Sequence, residues 1–227
     1  MSVLDWYLFC RRTGQGDLPA ARRAVAEYAG NRTLATPNAP AYYLLEKDLV
    51  RTQAVLKHHA HTGHPAVDLH LAIVADQVHD NRGRDQALAR VKSNAASYKW
   101  PGGRENYAPL AALAGLIADD LAKGGKGAID LAAAERLNPP QPFEAGAACD
   151  SEIRVAITFP YLLGRYLDLH GKPELAVRCW KQCLAQTQFI AEPYRTLAAA
   201  ELLSRKIRLE PDESRPEEPA GKPKSPQ

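Results

Sequence analysis

The chain lacks most of the features that would give it away quickly. Of its 227 residues only one is methionine and four are phenylalanine, and aromatic residues make up 7%. Residues with strand preference almost never alternate between turn residues, "IRVAITF" at 153–159 coming nearest, which counts against a sheet. No run approaches the ~20 consecutive apolar residues of a membrane span. The opening "MSVLDWYLFCRR" sets Asp5 before a short apolar run and its arginines after it. That is the reverse of a secretory signal, so a cytoplasmic location is expected. Charge of one sign is also missing: 29 basic and 26 acidic residues are interspersed, for a net +3. The densest basic clusters, Arg11-Arg12, Arg22-Arg23 and Arg205-Lys206-Arg208, read as solvated helix faces, so neither nucleic acid nor a membrane is expected as a partner. Cysteine is sparse, at 10, 149, 179 and 183. Cys179 and Cys183 lie four apart, on one helix face, and read as packing residues rather than metal ligands.

What is present is helical. Ala, Leu, Arg, Glu and Lys dominate, and the apolar positions recur at helical spacing. "WYLFCRR" leads through "TGQGDLP" into "AARRAVAEYA", and "AYYLLEKDLVRTQAVLKHHA" leads through "TGHP" into "AVDLHLAIVADQV". "APLAALAGLIADDLA" then leads through "KGGKG" into "AIDLAAAERL", and "PYLLGRYLDL" through "HGKP" into "ELAVRCWKQCLAQ". Three of these turns place a proline two or three residues after a glycine: Gly16/Pro19, Gly63/Pro65 and Gly171/Pro173. Glycine adopts the left-handed conformation that ends one helix, and proline is pre-shaped for the first turn of the next. The spacing predicts a further short helix near 84–98 and a loop at "WPGG". Pro160 is expected to begin a helix or to bend one. The fold class expected is all-α, an irregularly spaced array of antiparallel helix hairpins over 1–209. "NPPQPFEAGAACD", 138–150, is the hinge candidate, and the Pro- and charge-rich 210–227 is expected to be a disordered tail.

One hairpin carries a family resemblance. "LLGRYLDLHGKPELAVRCWKQCL" resembles a tetratricopeptide repeat, and the match runs over 157–190. Leu163-Gly164, Gly171, Ala176, Trp180 and Cys183-Leu184 stand where that family places its signature residues. Gln188 stands where the family has its closing proline, and the turn glycines 16, 63, 125 and 171 do not keep its regular 34-residue period. The resemblance implies an α-solenoid with a concave groove and no catalysis. It would line that groove with Thr158, Tyr161, Arg165, Asp168 and Leu169. Family members that capture a C-terminal carboxylate use a lysine and an asparagine where this chain has Tyr161 and Arg165. The function implied is a scaffold binding a protein or peptide, with no cofactor. A homo-oligomer whose neighbouring copy fills the concave face is a further reading.

The alternative centres on "HHAHTGH". His59, His61 and His64 reproduce the His-x-His-x-x-His of metallo-β-lactamase-like hydrolases, so a metal-binding protein or metallo-hydrolase is the competing expectation. In that family an aspartate precedes the last histidine, and Gly63 stands in its place here. The local pattern favours a helix end: His58, His59 and His61 in the last turn, Gly63 closing it and Pro65 opening the next helix. No metal or catalytic residue is therefore assigned from sequence.

Overall fold

In the computed structural model, residues 6–7, 10, 16–31, 38–98, 106–138, 150–185 and 193–207 are described. The loop expected at "WPGG", most of the hinge candidate 138–150, and the tail 210–227 lie outside them. Among the described residues the fold is all-helical, with no strand, and ten α-helices pack against their neighbours. They are α1 (Leu18–Asn31), α2 (Asn38–Leu45), α3 (Leu49–His59), α4 (Pro65–Gln77) and α5 (Asn81–Asn94). There follow α6 (Ala108–Ala122), α7 (Leu131–Leu137), α8 (Asp150–Leu169), α9 (Pro173–Ala185) and α10 (Pro193–Ser204). None of these is long and apolar enough to cross a membrane.

The second of the predicted hairpins is drawn in the wrong register. "AYYLLEKDLVRTQAVLKHHA" is two helices, α2 and α3, broken at Glu46–Asp48. The break comes from Lys47, which takes φ 60° without being glycine, and from Asp48, whose carboxylate accepts from the Arg51 amide to cap α3. The α4–α5 turn is made the same way, by His79 at φ 60° and an Asp80 cap on Gly83. The helix expected near 84–98 is therefore α5, and it pairs with α4.

This turn recurs five times. After α2, α4, α6, α8 and α10 a left-handed residue (Lys47, His79, Gly124, Gly171 and Lys206) donates to a carbonyl three residues back. In each case the following amide reaches back five residues: Asp48 to Tyr43, Asp80 to Ala75, Gly125 to Asp120, Lys172 to Leu167 and Ile207 to Leu202. The double bond satisfies two of the orphan carbonyls at a helix end, and it makes every second helix stop alike. By subtraction the turns are 32, 45, 47 and 35 residues apart. Nine residues past three of them comes a buried large side chain: Leu56, Leu88 and Trp180. Seven residues before three of them stands Pro40, Ala72 or Gly164, all buried. At Gly164 the smallness is obligatory, because a Cβ there would lie 2.6 Å from Trp180 Nε1.

Pro160 neither starts α8 nor ends it; the helix runs through it. A proline at 160 cannot donate to the Ala156 carbonyl four residues back. That carbonyl instead accepts from Asn138 Nδ2 at 3.4 Å, a buried contact from the end of α7.

The core centres on α4. From Pro65 to Ala75 all of its residues except Val67 are buried, so it has no solvent face. A helix buried on all sides belongs in an interior. It packs on α3, α5, α6 and α8. Two contacts depart from an array in which each unit touches only its sequence neighbours: α4 lies against α8, and α10 lies against α2. The molecule therefore closes on itself.

Candidate functional site

The face that the resemblance would open to a partner is covered by the chain's own helices. Tyr161 is completely buried and Thr158 is 3% exposed, so neither lines an open groove. They are sealed because α4 and α10 both pack on α8, and of these the α4 contact is the one an open array would leave free. His70 of α4 and Tyr194 of α10 bring their rings to 6.2 and 5.3 Å from that of Tyr161. Arg165, Asp168 and Leu169 are half-buried at the far end of the same face.

There the side chains form an ionic chain between helices. Arg165 donates to Glu201 of α10 at 2.8 Å and to Gln77 of α4 at 2.8 Å. Arg205 donates to Asp168 at 2.7 Å and to Glu201 at 2.9 Å, and its guanidinium lies 4.5 Å over the Trp180 ring. Glu201 thus occupies the position where a partner's carboxylate would meet Arg165. Arginine suits this role because its planar fork serves two acceptors and its face stacks on an indole.

A second polar knot joins the turns. His170 places Nδ1 2.6 Å from the Gly125 carbonyl and Nε2 2.8 Å from Asp76, whose other oxygen accepts from Arg84 at 2.9 Å. Both ring nitrogens face acceptors. Beside it, Asp120 accepts from Tyr166 at 2.6 Å and from the Gly127 and Ala128 amides at 2.8 and 3.0 Å. Burial pushes the Asp120 carboxyl up, but those donors outweigh it and hold it below the usual carboxylate range. The same pairing, added to burial, raises Tyr166 well above an ordinary phenol.

His70 is strongly perturbed. Burial, helped by the nearby Arg165 charge, brings it from 6.5 down to about 3, so it is a neutral core residue. Its Nε2 and the Tyr161 hydroxyl are buried without a hydrogen-bond partner. Burial likewise raises the Tyr161 phenol and pushes the Cys179 thiol up to about 12. Cys10, Cys179 and Cys183 are buried, as packing residues should be; Cys149 lies outside the described residues.

The histidine stretch folds as a helix end. The α-helix stops at His59, Ala60–Thr62 make a 3-10 turn, Gly63 is left-handed and Pro65 opens α4. Two of the three histidines of the metal pattern, His61 and His64, take separate jobs. His61 Nδ1 donates to the His58 carbonyl, His64 Nδ1 accepts from the Ala66 amide at 3.2 Å, and His64 Nε2 meets Tyr107 at 3.3 Å. Among the described residues no three His, Cys, Asp or Glu side chains gather as a metal site.

Sequence reasoning missed the knot at His170 and the ionic chain at Arg165. "HGKP" showed only a turn, and no local pattern told that Asp76, 94 residues away, would face His170. No family model matches this chain, and no curated protein or solved structure matches it either.

Proposed function

We propose that the chain is a non-catalytic helical-hairpin module, tetratricopeptide-like in its construction, that works by binding another protein or a peptide. The observation behind this reading is the shared turn after α2, α4, α6, α8 and α10, which makes alternate helices equivalent first members of successive hairpins. Repeated hairpins offer extended surface, and their common use is recognition without chemistry. The perturbed groups fit this reading as well. His70, Tyr161 and Cys179 are shifted by burial inside packed helices, and they do not converge on an accessible cleft.

The inner face at Thr158, Tyr161, Arg165, Asp168 and Leu169 is held by α4 and α10 of the same chain. A partner that used Arg165 would have to replace α10 and supply its own carboxylate in place of Glu201. The test is purification of the full chain from its source cells, followed by hydrogen exchange with and without the protein that accompanies it. A groove binder speeds exchange in 193–207, whereas an outer-face binder slows it in α3, α5 or α9. A chain that travels alone at every concentration tested would remove the reading.

A further inference from the structure

A cleft of about 340 Å³ lies between the end of α3 and the outer side of α5, with Leu71 of α4 at its base. That volume suits a small molecule. Its charged lining is of one sign: Lys57 and Arg90 face it with the His61 ring beside them, and among the described residues no carboxylate does. The counter-charges stand outside the lining. Asp80 takes Lys57 Nζ at 3.0 Å and is shared with Gln53 and the Gly83 amide. Asp68, with its side chain fully buried, takes Arg90 Nε at 2.7 Å.

The Arg90 contact is the informative one. A carboxylate that engages Nε fixes the guanidinium plane and leaves the far edge of the fork, between the two terminal amino groups, pointing away from it. Among the described residues those groups meet no acceptor. Lys57 keeps two of its three ammonium protons for other use. The Gln86 amide adds a neutral donor, and Ala60 beside Leu71 gives an apolar surface for the body of a ligand. We propose that this cleft binds a small organic anion, its phosphate or carboxylate head on Arg90, Lys57 and Gln86 and its apolar part on Leu71. Charge-assisted bonds to a guanidinium fork and an ammonium are the strong kind, and the base of the cleft excludes water from one side of them.

The experiment is an NMR titration of the full chain with phenyl phosphate and, separately, with benzoate. Saturable shifts confined to the amides of Lys57, Gly83, Gln86 and Arg90 are expected. Shifts with one probe alone identify the head group, and shifts with both identify a general anion cleft. Arg90→Lys keeps a cation on buried Asp68 but removes the fork, and Lys57→Met leaves Asp68 and its partner untouched. Each should weaken binding about tenfold, the value of one charge-assisted bond. Loss of saturable shifts with both probes in the unaltered chain overturns the proposal. So does unchanged affinity in both variants while their folds, read from the same spectra, are preserved.

Discussion

At the scale of the residue, burial decides chemistry. His70 would ordinarily titrate at 6.5, and in the folded chain it does so at about 3. Between those values the unfolded chain holds a proton that the folded chain refuses, so this group lowers stability as pH falls from about 6.5 toward 3 and is silent above that window. Urea unfolding of the wild type and of His70→Phe at several pH values should show the difference. The variant is expected to lose an acid-side slope of about 1.4 kcal/mol per pH unit. Parallel pH profiles would show that the imidazole is solvated. The histidines of "HHAHTGH" make the opposite lesson. They were conspicuous by type, yet a helix end uses them through backbone carbonyls and amides, which is what short-range sequence pattern predicts.

At the scale of the element, helix starts and stops follow backbone rules that sequence shows unevenly. Gly124 and Gly171 announce their turns because glycine is at ease at positive φ. Lys47 and His79 make the same turn with a side chain attached, and so the α2–α3 and α4–α5 boundaries were hidden in the sequence. The signal that does exist is the aspartate one residue on, Asp48 and Asp80, acting as a cap. A left-handed residue other than glycine costs about 1 kcal/mol. His79→Gly is therefore expected to stabilise the chain by up to that amount, visible as a raised urea midpoint with unchanged slope. His79 is exposed, and a loss of stability would mean that its side chain contributes more than the turn geometry costs.

At the scale of the whole molecule, closure comes from contacts between helices far apart in sequence. Arg165 joins three of them: its own α8, α4 through Gln77 and α10 through Glu201. Its side chain is 13% exposed, so little water screens the pair. Arg165→Met leaves Gln77 and part of Glu201 without their donor and should cost about 2–4 kcal/mol. Adding Glu201→Gln, which removes the stranded charge, should recover part of that loss in a double-mutant cycle. Additive losses would show that α10 is held by apolar packing alone, through Leu197, Ala198 and Leu202.

Local chemistry made much of this protein readable in advance. Its helical composition, the glycine-proline turns at Gly63 and Gly171, and the burial of Cys10, Cys179 and Cys183 all follow from interactions within a few residues. The destination of the Thr158–Leu169 face did not. An apolar stripe that lines an open groove and one that meets a second helix have the same spacing and the same composition. Which of the two it becomes depends on whether distant surfaces, here α4 and α10, fit against it and bury more apolar area than water would leave exposed. Only the assembled structure makes that choice.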